Sequence, residues 1–141
     1  MALAHDEDLV VASLGQPRVE PEIAFGLRVG LAGPDVTGTD VLAATDWVAP
    51  AIEVLDSRYR DYRFVFEADG RLLSTAAGAA VLGHPADAVA WWVRKIAAEG
   101  RGLDVGAVVL SGALTGAIRV SPGMVIDVTI DRLGHVGLRC I

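Results

Sequence analysis

Alternation of apolar and polar positions predicts β-strands along much of the chain. Residues 18–28 alternate in this way and residues 51–59 are rich in β-branched and apolar side chains, so both segments are predicted strands. Pro21 lies inside the first strand and favours an edge position or an irregularity in the strand, because proline cannot donate to a strand ladder. The turn Ala68-Asp-Gly70 predicts a hairpin over residues 63–75. Four further strands are predicted at residues 107–111, 117–120, 125–130 and 136–140.

A helical period replaces this alternation after Pro85. Apolar side chains recur there at the spacing of one helix face, at Val89, Trp92, Val93, Ile96 and Ala97. Proline suits the first helical turn, and Gly100 predicts the end of the helix. A shorter helix is predicted from Thr39 to about Val48, ended by Pro50. The pattern therefore predicts a mixed α/β (α+β) class, dominated by strands, with one long helix.

Composition narrows the classes of function. The 141 residues fit one domain, which we assign to residues 18–141 behind an irregular segment, residues 1–17. The net charge is −6, so the chain has no excess of basic residues for binding nucleic acid or an anionic membrane surface. Neither is an expected partner. Hydrophobic residues make up 52% of a chain this short, which predicts that part of its surface is buried in a homo-oligomer.

Targeting and cysteine signals point to the cytoplasm. Cys140 is the one cysteine, which excludes an internal disulfide framework and a cysteine-based zinc site. The acidic start, MALAHDEDLV, lacks the basic region and apolar core of a signal peptide. The longest uncharged stretches are shorter than the roughly 20 apolar residues that span a membrane.

Three glutamates form the first candidate site. Glu20 and Glu22 are two residues apart on a predicted strand, so their carboxylates point to the same face and repel unless a positive charge lies between them. The pair is interpreted either as a solvated strand face or as half of a site for a hard cation, which prefers oxygen ligands. Glu53 interrupts an apolar strand, where an ionised carboxylate is costly without a partner. It is either a salt-bridge partner, for example of Arg58, or a third metal ligand.

Two further segments carry weaker signals. The small residues of Ser111-Gly-Ala-Leu-Thr115 follow an apolar strand and form either a plain turn or a backbone approach to a ligand carboxylate. Asp56 and Arg58 are candidates for a pocket, although an ion pair between them explains their spacing equally well. The histidines are scattered, and His84 is interpreted as a capping or packing residue at a helix entry.

Several segments in the same order resemble a known family. They are Arg18–Phe25, Val41–Trp47, Glu53–Tyr59, Gly78–Pro85, Val109–Thr115 and Ser121-Pro-Gly123. The chain resembles the 4-oxalocrotonate decarboxylase and 2-keto-4-pentenoate hydratase family of the fumarylacetoacetate hydrolase superfamily. The resemblance implies a strand-rich, fumarylacetoacetase C-terminal-like roll or sandwich, here truncated. The versions of the first and third segments are closer to the decarboxylase branch.

The same resemblance implies a site and a reaction. Glu20, Glu22 and Glu53 match the carboxylates that bind Mg²⁺ or Mn²⁺, while Ser111, Gly112 and Thr115 match a segment near the substrate pocket. The implied substrate is a small 2-oxo acid. The implied activity is decarboxylation of 4-oxalocrotonate (2-oxohex-3-enedioate) to 2-hydroxypenta-2,4-dienoate in aromatic meta-cleavage degradation. Hydration of 2-hydroxypenta-2,4-dienoate, the 2-keto-4-pentenoate hydratase reaction, is the alternative.

The chain also departs from the family pattern. It lacks the N-terminal lobe, which carries a lysine implicated in the family's active site, and Lys95 does not match that lysine. A deletion is predicted between Phe64 and Val65, where the family continues with a stretch that closes over the pocket. No general acid or base can be named from these residues. An alternative of another class follows, in which the chain is an inactive truncated homologue that assembles with a related hydratase or decarboxylase.

Overall fold

The computed structural model describes residues 5–56 and 82–141, which form nine strands and two helices. The strands are β1 (Asp8–Leu9), β2 (Pro17–Leu27), β3 (Leu31–Ala32), β4 (Thr45–Asp56), β5 (Gly102–Leu103), β6 (Val108–Leu110), β7 (Ile118–Arg119), β8 (Val125–Ile130) and β9 (Gly134–Cys140). The helices are α1 (Gly38–Ala44) and α2 (Pro85–Ala97). The predicted class, strand-rich with one long helix, is confirmed. The predicted hairpin at 63–75 and the 64/65 junction lie outside the described residues.

Strand β2 is the centre of the main sheet. It pairs antiparallel with β4 along its whole length, with β6 near its end and with β7 near its start. One face of β2 contributes Ile23, Phe25 and Leu27 to a core with both helices, and Val19 to a second core with β8 and β9. The other face of β2 is therefore left to carry the polar residues of the strand.

Pro21 does not lie on an edge strand, but it does lie at an irregularity of the sheet, because β6 and β7 pair with β2 on either side of this residue and not at it. Its carbonyl oxygen accepts a hydrogen bond from the Leu114 backbone N–H at 2.9 Å, in the loop between β6 and β7. The N–H and C=O of a strand residue point to the same neighbour, so the missing N–H of Pro21 also faces this loop. The β2–β4 ladder therefore loses no hydrogen bond at this proline.

Strand β4 begins earlier than the sequence pattern predicts. The predicted helix continued to about Val48 and was ended by Pro50. In the structure α1 stops at Ala44, and Pro50 lies within β4. Within the described residues β4 is the outer strand of its sheet, the position in which a proline is tolerated. The N-cap of α1 is Thr37 rather than Thr39, in a capping box with Asp40.

Helix α2 matches its predicted start, and His84 caps it as expected. The His84 Nδ1 accepts a hydrogen bond from the Ala86 backbone N–H at 3.1 Å. The buried face of α2 differs from the prediction at Trp92, which is 44% exposed. The small residues Ala86 and Ala90 are fully buried instead, so the apolar face is rotated toward them. The tryptophans thus remain at the surface.

A second, smaller sheet joins the two ends of the described chain. β9 pairs antiparallel with β8 and parallel with β1, in the order β1-β9-β8. Residues 11–13 form a 3₁₀ turn, and Val11 is buried in the second core. No helix among the described residues is long and apolar enough to cross a membrane.

Candidate metal centre

The three glutamates converge on one face of the main sheet. Glu20 and Glu22 lie two residues apart on β2, and Glu53 of β4 is directly opposite Glu20 in the antiparallel register. Directly opposed strand residues share a face, as do residues at i and i+2. One carboxylate oxygen from each glutamate lies within 4.8 Å of the other two. The pairing of β2 with β4 therefore assembles the cluster that the sequence could only propose.

Glu22 is the buried member of this cluster. Its side chain is 2% exposed, whereas Glu20 and Glu53 are half-buried. The Gly112 backbone N–H donates a 2.8 Å hydrogen bond to Glu22 Oε2 and fixes the carboxylate from the loop after β6. One predicted pocket residue is thus in direct contact with one predicted ligand.

Burial and the neighbouring carboxylates raise the pKa values of Glu22 and Glu20. Burial raises the pKa of Glu22 to about 7, the Gly112 hydrogen bond opposes this shift, and Glu53 and Glu20 add to it. Burial and the charge of Glu53 also raise the pKa of Glu20, while the charge of Arg18 lowers it. A cation among these oxygens would relieve both the desolvation and the repulsion.

The donor set fits a hard divalent cation. All three ligands are carboxylate oxygens, the type that Mg²⁺ and Mn²⁺ prefer. None of the ion pairs formed by the described residues includes one of these three carboxylates. The salt-bridge interpretation of Glu53 therefore has no partner in the described part of the chain, and Arg58 lies outside it.

An open groove of about 430 Å³ lies beside the cluster. One wall is a face of α2 together with the turn before it, and the other is the end of β6 together with the loop after it. The lining residues are Leu82, Ala88, Trp91, Trp92, Leu110, Ser111, Gly112 and Ala113. Ser111 is buried, and its backbone N–H donates to the Ile23 carbonyl oxygen at 3.0 Å. Because Gly112 lines this groove and also holds Glu22, the groove and the carboxylates share one wall.

Two predicted pocket residues are not brought to the cluster. Asp56 lies opposite Pro17, and its Oδ1 accepts hydrogen bonds from the backbone N–H groups of Gly15 and Gln16 at 2.8 and 3.0 Å. Strand alternation also turns it to the opposite face of β4 from Glu53. The Thr115 hydroxyl donates to the Gly116 carbonyl oxygen at 3.4 Å and has no hydrogen bond to the carboxylates.

Two further residues on the sheet face that carries the cluster were not predicted from the sequence as site residues. Trp47 lies opposite Gly26, with its indole where a β-carbon on that glycine would be. Arg119 of β7 lies directly opposite Arg18 of β2. Both neighbours arise from strand pairings between distant segments, and no local pattern announces them.

Comparisons with known proteins agree with this fold. No family model matches the chain. It is 35% identical to the 2-hydroxyhexa-2,4-dienoate hydratase of Comamonas testosteroni, over 93% of this chain and 62% of that protein. It is 32% identical to a 4-oxalocrotonate decarboxylase of Pseudomonas putida, over 92% of this chain and 62% of that protein. The 4-oxalocrotonate decarboxylase from Pseudomonas putida G7, complexed with magnesium and adipate, superposes with a TM-score of 0.88 and 30% identity, covering 99% of this chain and 66% of that one.

The fold is therefore that of the 4-oxalocrotonate decarboxylases. The chain is homologous to 4-oxalocrotonate decarboxylases and 2-keto-4-pentenoate hydratases, and it spans less than two thirds of the length of these relatives. The hydratase alignment runs over 165 positions, more than the 141 residues of this chain. The relative thus has residues inside the aligned region without a counterpart here. The deletion between Phe64 and Val65 stays a prediction, since the alignment length alone gives no position.

Proposed function

We propose that the chain binds Mg²⁺ or Mn²⁺ through Glu20, Glu22 and Glu53 and decarboxylates 4-oxalocrotonate to 2-hydroxypenta-2,4-dienoate. The observation that carries the proposal is the convergence of the three carboxylates within 4.8 Å on one sheet face. The decarboxylase relative complexed with magnesium and adipate supports both the cation and a dicarboxylic ligand.

The residues of the site would divide the work among themselves. Glu20 and Glu53 would hold the cation from opposite strands, and Glu22 would bind it after losing the proton that its raised pKa retains. The Gly112 N–H would keep the Glu22 carboxylate oriented during this exchange. When bound, the cation would supply Lewis-acid stabilisation of the negative charge that reaches the 2-oxo oxygen as the distal carboxylate leaves as CO₂.

Hydration of 2-hydroxypenta-2,4-dienoate is the alternative within the same class. Hydratases are among the relatives, and both reactions place negative charge on the same substrate oxygen. The three glutamates therefore do not separate the two reactions. Product analysis does: incubation with 4-oxalocrotonate and Mn²⁺ is expected to release CO₂, and formation of 4-hydroxy-2-oxovalerate from the dienoate without CO₂ release would reassign the reaction.

The metal site is tested first by Mn²⁺ titration of the purified chain, followed by electron paramagnetic resonance. We expect saturable binding that oxalate, a mimic of the 2-oxo acid end, tightens. Replacing Glu53 by Gln removes a charged ligand without changing the side-chain shape, so Glu53→Gln is expected to weaken Mn²⁺ at least about tenfold.

Glu99→Gln is the matched control for this titration. Glu99 is exposed and pairs with Arg101 at the end of α2, so its loss should leave Mn²⁺ affinity unchanged. No saturable binding to the wild-type chain, or equal affinities for the wild type and Glu53→Gln, would overturn the proposed site.

A second candidate function is an assembly module without activity. It is favoured by the groove wall, where Leu82, Trp91, Trp92 and Leu110 are all exposed. Size-exclusion chromatography alone and with a full-length relative tests this candidate. Co-elution with the relative, together with no turnover of 4-oxalocrotonate, would favour the module over the enzyme.

A further inference from the structure

Two arginines lie side by side at one end of the carboxylate face. Arg18 of β2 and Arg119 of β7 are direct partners in an antiparallel pair, so their side chains leave the sheet on the same face. Arg18 is half-buried and Arg119 is exposed. No ion pair or hydrogen bond of either guanidinium is found among the described residues.

This arginine pair shares its face with the glutamates. Arg18 is two residues before Glu20 on β2, so the Cα atoms of the two residues are about 7 Å apart along the strand and their side chains leave the same face. The register continues the same face through Glu20 opposite Glu53 and then Glu22 opposite Ala51. Positive and negative groups therefore occupy adjacent ends of one surface.

Opposed like charges destabilise a strand pair, so this arrangement calls for an anion. Arg18 partly stabilises the ionised form of Glu20, since its charge lowers the pKa of that carboxyl group. Arg119 lies one strand further from Glu53, because β7 and β4 flank β2 on opposite sides. An anion between the two guanidinium groups would relieve their repulsion and use the bidentate geometry that arginine offers to carboxylates.

We propose that Arg18 and Arg119 bind the distal carboxylate of a dicarboxylic 2-oxo acid whose other end lies at the three glutamates. This inference rests on the proposed function and extends it to substrate selection. The carboxyl carbons of 2-oxohex-3-enedioate are five bonds apart, close to the six backbone bonds that join the Cα atoms of Arg18 and Glu20. The arginine pair thus favours a dicarboxylate over the monocarboxylate that a hydratase takes.

The proposed role predicts a particular kinetic effect. The distal carboxylate loses its charge when it leaves as CO₂, so the arginines hold the ground state more tightly than the state in which the bond is breaking. Removing one guanidinium should therefore raise KM for 4-oxalocrotonate without lowering kcat. A residue that only maintained the fold would instead lower the amount of active protein and with it the apparent kcat.

The direct test is calorimetric titration of the Mg²⁺-loaded chain with two unreactive ligands. 2-Oxoadipate and 2-oxohexanoate have the same 2-oxo acid end and chain length, but only 2-oxoadipate has the distal carboxylate. We expect the wild type to bind 2-oxoadipate about tenfold more tightly. Arg119→Gln and Arg18→Gln should lose this preference and keep their affinity for 2-oxohexanoate.

Arg101→Gln is the matched control, because Arg101 is exposed and lies in an ion pair with Glu99. It should behave as the wild type. Equal binding of both ligands by the wild type, or a preserved preference in Arg119→Gln, would overturn this inference alone. Binding of neither ligand by a chain that binds Mg²⁺ would overturn the proposed function and this inference with it.

Discussion

A single buried carboxyl group, Glu22, sets the electrostatics of the candidate centre. It is among the largest fully buried side chains of the described chain, and one backbone N–H, that of Gly112, compensates its oxygen. An ionised group in this position is costly without a further positive partner. The folded chain therefore keeps a proton on Glu22 at pH values at which the unfolded chain has lost it.

This difference predicts an unusual dependence of stability on pH. The unfolded pKa of Glu22 is near 4.5 and the folded value is about 7, so the folded state binds more protons between these values. The free energy of unfolding should therefore fall as the pH rises through this window, by at most about 3 kcal/mol, and then level off.

Urea unfolding at pH 5 and pH 8 with a chelator present measures this effect. Glu22→Gln is neutral at both values and should lose most of the difference, and Mg²⁺ should restore the wild-type stability at pH 8. The same pH dependence in both proteins would show that Glu22 does not retain its proton.

The residue-scale prediction from sequence succeeded where strand periodicity was enough. Placing Glu20 and Glu22 on one face needs only the two-residue repeat of a strand, and the register confirms it. Glu53 joins them through a pairing that its own neighbours do not encode. Gly112 and Arg119 depend on pairings across about a hundred residues of chain, so their contacts with β2 could not be predicted locally.

At the scale of elements, β2 and β4 pack closely where Gly26 leaves space for the indole of Trp47. A β-carbon at Gly26 would occupy the space of the Trp47 indole ring. Gly26→Ala should therefore displace the indole and cost about 1–3 kcal/mol of stability. Chemical denaturation measures this loss, and the tryptophan fluorescence should shift with it.

Gly116→Ala is the control for this substitution. A β-carbon at Gly116 meets no heavy atom within 4 Å, so its effect should stay within about 0.5 kcal/mol. Equal stabilities of the two variants would mean that the indole moves away at no cost.

The elements also show where hydrophobic patterns mislead. The buried face of α2 was predicted from helical spacing, which is correct for Val89, Val93 and Ile96. Trp92 stays outside, and the small residues Ala86 and Ala90 are buried in the core instead. Pro50 was predicted to end a helix, whereas it lies in β4, which is the outer strand of its sheet among residues 5–56 and 82–141. In both cases packing between elements outweighed the local signal.

At the scale of the whole molecule, the part of the chain that the structure describes forms two cores that meet at β2. Its last residues pack with both helices, while Val19 packs with the β8–β9 hairpin. The carboxylate face lies on the back of this shared strand, so loss of either core should disturb the centre. The long helix and the C-terminal strands were predicted because their patterns are local, whereas the joining of the cores by β2 was not.

The exposed groove wall predicts self-association. Leu82 is 67% exposed and Trp91 51% exposed, and burying such side chains against a second copy would gain free energy. Sedimentation velocity at increasing concentration should show a dimer or larger species. Trp91→Glu should reduce its population without changing the melting temperature of the monomer.

Val125→Glu is the matched control for this experiment, since Val125 is exposed on β8, in the second sheet, and does not line the groove. It should leave the association unchanged. A wild-type chain that stays monomeric at all concentrations would contradict the homo-oligomer prediction.

The pairing of Glu20 with Glu53 also affects which register β4 adopts against β2 as the chain folds. Slippage of β4 by one residue would turn Glu53 toward the core and bring apolar Ile52 or Val54 to the other face. Only the native register brings all three carboxylates together, so a cation would bind to it more tightly than to a slipped register. Mg²⁺ binding would then stabilise the native β2–β4 register during folding, independently of any substrate.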